Sequence, residues 1–155
     1  MIVTSSEQLD VLLQMLHTKG GRIVFTNGVF DILHAGHTTY LDAAKALGDV
    51  LVVGLNTDES VRRLKGPERP INAELDRATV LAALRSVDHV VLFGDDTPLD
   101  LIRIIRPDVL VKGGDYTRQS IVGADDVEAS GGTVVTIPLV EGRSTTSIIN
   151  RARTV

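Results

Sequence analysis

Five short runs of β-favouring residues, apolar on both faces, recur at Ile23–Thr26, Val50–Leu55, His89–Phe93, Val109–Val111 and Thr133–Ile137. A strand open to water on one side alternates apolar with polar residues, whereas a run without alternation is covered on both. Helical patterns separate the runs at His37–Leu47, Asp58–Leu64, Ala73–Ser86, Pro98–Ile105, Gly123–Ala129 and Ser144–Arg153. Ahead of them Leu9, Leu12, Leu13 and Leu16 repeat at helical spacing, after Ser5-Ser6-Glu7-Gln8 in the manner of a capping box, and Gly20-Gly21 ends that helix. Strand and helix alternating at this interval predict an α/β fold, a doubly wound five-stranded parallel sheet with helices on both faces.

The 155 residues suit one domain, 1–155, that buries roughly two-thirds of its unfolded surface. A net charge of −4 and 3% aromatic residues argue against a surface that coats or stacks on nucleic acid. A phosphate-bearing ligand would then have to be met by a local basic cluster. The absence of cysteine excludes thiolate chemistry and fits a cytoplasmic location. No secretory signal is visible at Met1-Ile-Val-Thr-Ser-Ser-Glu7, and no apolar stretch approaches membrane-spanning length, so no membrane partner is expected.

In open sheets of this kind a ligand sits beyond the carboxyl ends of the strands. Three chemically active segments fall there: Thr26-Asn27-Gly28, Asn56-Thr57-Asp58 and Lys112-Gly113-Gly114-Asp115. The first leads through Phe30 and Asp31 into His34-Ala-Gly-His37, two histidines three residues apart at the start of an amphipathic helix. That spacing places both imidazoles on one side of the helix, and Gly36 between them lets a ligand approach the backbone. A strand, a turn and a helix N-terminus make a phosphate-binding device. No cysteine or well-placed third ligand supports a zinc site.

Arg143-Ser144-Thr145-Thr146 precedes the last helix. Ser144 or Thr145 serves as a plain N-cap, or the hydroxyls, backbone N–H groups and Arg143 bind phosphates; both readings hold together. Lys65 lies in the Pro- and Gly-rich segment Lys65–Ile71 and reads as a cation that swings over phosphates, with Arg69 and Arg77 as helpers. Arg77 sits early in a helix, where a cation is disfavoured, and so answers an anion. Asp31 orients the turn. Gly113 and Asp115, followed by Tyr116, let a base or ribose approach the backbone, and Lys112 either aids phosphate binding or snorkels. Asn56 and Asp58 either cap the following helix or contact a sugar or phosphate.

The string Gly28-Val-Phe-Asp-Ile-Leu-His-Ala-Gly-His37, directly after a strand, resembles the HxGH nucleotidylyltransferase superfamily and its cytidylyltransferase-like group. Asn56-Thr-Asp58, Arg63-Leu-Lys-Gly66, Arg69-Pro70, Asp76-Arg77, Val87-Asp88, Pro107–Tyr116 and Arg143–Ile149 make the chain most similar to the adenylyltransferase domain of bacterial ADP-heptose synthesis, found alone or fused to a heptose-phosphate kinase. The resemblance implies a Rossmann-like fold and transfer of AMP from ATP, carried with Mg2+, to D-glycero-β-D-manno-heptose 1-phosphate. It implies catalytic roles for His34, His37, Lys65 and Arg143. Nucleotide contacts then fall to Thr26, Asn27, Gly28, Phe30, Gly36, Lys112, Gly113, Asp115, Ser144, Thr145 and Thr146, and acceptor contacts to Asn56, Asp58, Arg69, Arg77 and Tyr116. No direct metal ligand is assigned. A separate kinase and a homodimer are the expected partners.

Two other readings stay open. The same motifs serve a CTP-dependent enzyme acting on an alcohol phosphate such as glycerol 3-phosphate or phosphoethanolamine, and a catalytically silent nucleotide-binding module would share the fold. A dinucleotide oxidoreductase is disfavoured, because the first turn lacks Gly-x-Gly-x-x-Gly.

Overall fold

The computed structural model describes residues 1–153 apart from 115, 139, 141 and 143. Its sheet is parallel throughout and has six strands in the order β1-β4-β3-β2-β5-β6. These are β1 (Ile2–Val3), β2 (Ile23–Gly28), β3 (Val50–Asn56), β4 (His89–Phe93), β5 (Val109–Gly113) and β6 (Thr133–Ile137). The five expected strands are all present. The sixth, β1, corrects the expected count: it pairs Ile2 with Val90 and Val3 with Val91, too short a run to carry a periodicity.

From β2 the chain builds outward through β3 to β4, then crosses back over β2 to lay down β5 and β6. The winding therefore reverses between β2 and β5, and the loops after those strands diverge to leave a crevice. Both strands run longer than the apolar pattern predicts, so Asn27, Gly28, Lys112 and Gly113 ride on the sheet at the crevice edge.

Helices cover both faces. On one, α1 (Ser6–Lys19), α5 (Leu99–Ile105) and α6 (Ala124–Ala129) pack Leu12, Leu16, Ile102, Ile105 and Val127 against Phe25, Val52 and Val91. On the other, α2 (Ala35–Lys45) and α4 (Glu74–Ala82) pack Tyr40, Leu41, Ala44, Ala78 and Leu81 against Val24, Leu51, Val53 and Val109. Neighbouring residues of one strand thus serve opposite cores, as Val24 and Phe25 do, which is why the runs do not alternate. Ser5 caps α1, its hydroxyl accepting from the Gln8 N–H, and Gly20 ends the helix at φ 63°. α3 (Asp58–Lys65) is capped by Thr57, and neither Asn56 nor Asp58 takes that place. α4 stops at Ala82, four residues short of the periodic pattern. α7 (Thr145–Ala152) starts after the N-cap Ser144. Among the described residues no helix is long and apolar enough to cross a membrane.

Candidate active site

A crevice of about 390 Å³ opens at the β2/β5 reversal. Its floor comes from Asn27, Gly28, Lys112 and Gly113, one wall from His34, Gly36, His37 and Tyr40, another from Lys65 and Arg69, and its far side from Ser144 and Thr145. Segments more than a hundred residues apart meet here directly. The Thr145 hydroxyl donates to the Ile32 carbonyl at 3.3 Å, so the first turn of α7 is tied to the loop that carries the histidines.

His34 is the N-cap of α2, and its Nδ1 accepts from the Gly36 N–H at 3.1 Å. That bond fixes the tautomer of the neutral ring with its proton on Nε2. His37 stacks on His34 at a centroid distance of 3.9 Å and meets the Phe30 ring edge-on at 5.3 Å. Its Nδ1 is buried without a hydrogen-bond partner. Burial first, and the neighbouring His34 second, push the His37 imidazole down to about 4. Both rings therefore sit at the positive end of α2, with charge on His37 opposed, and the helix dipole there adds a partial charge that favours anions.

The basic groups are local, as the acidic net charge requires. Lys112 Nζ donates to Asn27 Oδ1 at 2.8 Å, and burial lowers the pKa of this lysine. Asp31, the one carboxylate lining the crevice among the described residues, is already saturated. It accepts from Arg69 Nε at 2.7 Å and from the N–H groups of Ile71 and Asn72 at 2.9 Å. Those bonds hold its carboxyl below the ordinary range against the opposing effect of burial, and they pin the root of the Lys65–Arg69 segment to the loop before α2. Among the described residues the crevice offers cations, N–H donors and two helix N-termini with no unspent carboxylate, which suits a polyphosphate.

A model of the cytidylyltransferase-like family matches residues 25–151. The chain belongs to the cytidylyltransferase-like family. It is 57% identical over 145 residues to the bifunctional protein HldE of Syntrophotalea carbinolica, an alignment covering 94% of this chain and 30% of that protein. The chain thus spans about a third of the length of the curated relatives it matches. Among solved structures it resembles the lipopolysaccharide core biosynthesis protein from Thermoplasma volcanium GSS1, with a TM-score of 0.63, 31% identity, and coverage of 80% of this chain and 100% of that one. The pantoate-β-alanine ligase of Francisella tularensis, solved with β,γ-ATP and β-alanine, shares the fold at a TM-score of 0.63 and 15% identity, covering 100% of this chain and 78% of that one.

Within this member of the cytidylyltransferase-like family, the crevice gathers most of the residues singled out from sequence, including Phe30, Asn56 and Tyr116. Four stand elsewhere. Thr26 is fully buried, its hydroxyl 2.6 Å from that of Tyr40, so it supports the floor. Arg77 has a side chain with 0% exposure, and the anion it answers is Asp58, at 2.8 Å. Neither Arg77 nor Asp58 lines the crevice, which corrects the expectation that they touch the acceptor: a sealed guanidinium cannot reach a ligand, and Asp58 is turned toward it. Thr146 faces an adjoining groove with Lys65, Arg69, Ile149 and Arg153. Asp115 and Arg143 lie outside the described residues. Tyr40 lines the crevice unforeseen, although its position three residues after His37 on α2 places it on the same helical face.

Proposed function

We propose that this domain, residues 1–155, transfers AMP from ATP to a sugar 1-phosphate, D-glycero-β-D-manno-heptose 1-phosphate, giving ADP-heptose and pyrophosphate. The observation that carries the reading is the bond from Thr145 to the Ile32 carbonyl, which sets the α7 N-terminus and the His34/His37 pair around one crevice. The names of the relatives support the acceptor. A bifunctional protein three times longer accommodates a kinase beside a transferase, and a role in lipopolysaccharide core synthesis consumes sugar nucleotides.

A phosphate oxygen of the sugar 1-phosphate attacks the α-phosphorus of ATP in line, a new P–O bond forms, and the bond to the departing pyrophosphate breaks. No covalent enzyme intermediate is required, so positioning and charge stabilisation carry the acceleration. His34 and His37 donate hydrogen bonds to phosphate oxygens as charge builds on them. Lys65 bridges the acceptor phosphate and ATP. Ser144, Thr145 and Arg143 hold the leaving pyrophosphate, while Asn27, Gly28, Gly113 and Lys112 hold the nucleotide.

Mg2+ enters as part of the MgATP substrate. No side chain is assigned as its ligand; bound with ATP, the ion would neutralise charge on the phosphates. A separate kinase supplies the sugar 1-phosphate, the enzyme works in the cytoplasm where ATP is at hand, and it acts as a homodimer.

Pyrophosphate release measured with ATP and with CTP, against a panel of sugar 1-phosphates, glycerol 3-phosphate and phosphoethanolamine, tests the reading. Turnover with ATP and the heptose phosphate is expected. Turnover only with CTP and an alcohol phosphate would replace the reading, and no turnover with any pair would leave a binding module.

A further inference from the structure

Among the described residues Arg77 is the bulkiest of the fully buried side chains. Its guanidinium ties together three segments that frame the crevice. Nη1 donates to the Val29 carbonyl at 2.7 Å, Nε to the Asn72 carbonyl at 3.0 Å, and Nη2 to the Asn56 carbonyl at 2.9 Å and to Asp58 at 2.8 Å. Burying a cation is costly, and an apolar side chain of similar volume is often as stable or more so. A planar fork, however, can reach three carbonyls from different segments and a carboxylate through three separate nitrogens, a span that neither an apolar group nor the single nitrogen of a lysine provides.

The Val29 carbonyl belongs to the peptide unit that leads into Phe30. Phe30 adopts φ 45°, a conformation bulky residues rarely take. Its ring lies so close over Gly28 that a Cβ there would come within 2.9 Å of Phe30 Cε2. The same ring meets His37 edge-on, with planes inclined by 61°. His37 Nδ1 has no hydrogen bond to orient the imidazole, so packing against Phe30 and His34 sets its angle.

We propose that Arg77 is a positioning residue for His37: by gripping the Val29 carbonyl it locks Phe30 in its positive-φ conformation and so fixes the imidazole against which the nucleotide is aligned. Through Asn56 and Asn72 the same group sets the wall of the crevice and the root of the Lys65 segment, since the Asn72 N–H also donates to Asp31. The consequence for catalysis rests on the transferase reading; the consequence for the His37 ring does not.

The test compares wild type with Arg77→Lys and Arg77→Ala, each with and without millimolar guanidinium. The readouts are kcat, KM for ATP, thermal midpoint and the His37 imidazole NMR resonances without nucleotide. In the folded variants kcat is expected to fall about 10- to 100-fold with KM within about threefold, the scale on which small misplacements act. The His37 resonances should move, and guanidinium, refilling the cavity in Arg77→Ala, should restore part of both signals. His37 resonances and kcat unchanged in Arg77→Lys would overturn the proposal. So would an activity loss that follows the thermal midpoint alone, or a failure of both variants to fold with no recovery in guanidinium. An inactive wild type whose His37 resonances still respond to Arg77 would sink the transferase reading and leave the positioning role standing.

Discussion

The imidazoles of His34 and His37 stack with centroids 3.9 Å apart and planes inclined by 26°. Two imidazolium rings would repel at that separation, and burial already opposes charge on His37. On the proposed function, His37 would meet an incoming phosphate as a neutral hydrogen-bond donor.

Replacing His37 with Ala should lower turnover by about 10²- to 10³-fold, the usual loss when a preorganised donor to developing charge is removed. The thermal midpoint should hardly change, because the side chain buries an unpartnered nitrogen whose removal relieves a penalty. Steady-state kinetics beside a thermal melt would check this, and near-normal turnover would remove His37 from the mechanism.

The low pKa of His37 has a sign in stability. Its folded value of about 4 lies below the ordinary 6.5, so between the two the unfolded chain binds a proton that the folded chain refuses. This contribution is fully present above the ordinary value and is lost as pH falls from there toward the folded one. Thermal midpoints measured from about pH 7.5 to about pH 5 should fall more steeply in wild type than in His37→Ala. Parallel curves would contradict the assignment.

Lys65 is exposed at the end of α3 and shared by the crevice and the adjoining groove. Lys65→Ala should cut kcat/KM by about 10- to 100-fold, as expected for a lost phosphate-positioning contact, with an unaltered melt. An early melt would make it a scaffold residue.

Lys112 carries its charge at the crevice floor against the cost of burial, with an amide oxygen as partner. Lys112→Met should leave the thermal midpoint equal or higher while raising KM for a phosphate substrate about tenfold or more, since a buried charge-assisted contact is lost. Unchanged KM values would show that the ammonium does not meet phosphate.

Tyr40→Phe removes the buried 2.6 Å bond to Thr26, and the Tyr40 hydroxyl, whose pKa burial pushes up to about 12, stays neutral throughout. A loss of about 1–2 kcal/mol in urea unfolding is expected from the Thr26 hydroxyl left unsatisfied. No loss would mean Thr26 finds another hydrogen-bond partner.

The sheet's parallel character and most helix positions were legible because they arise from local pattern: Val50–Leu55 and His89–Phe93 lack alternation, and Ser5 and Gly20 punctuate α1. The crevice was legible because strand ends converge by topology. What was hidden depends on contacts far apart in sequence. β1 exists only because β4 offers its edge to Ile2 and Val3, and the apolar pattern past Ala82 serves packing after the α4 helix has ended. Arg77 looked like a ligand for phosphate because its charge is visible in sequence, whereas its enclosure by Val29, Asn56 and Asn72 is not.

The central claim is that the His34/His37 pair and the start of α7 grip one triphosphate. Titrating the protein with the α,β-methylene analogue of ATP, while following the imidazole resonances of both histidines and the backbone amides of Thr145–Ser147, measures this directly. A single Kd shared by both sets is the predicted result; movement of one set alone, or two different Kd values, would contradict it.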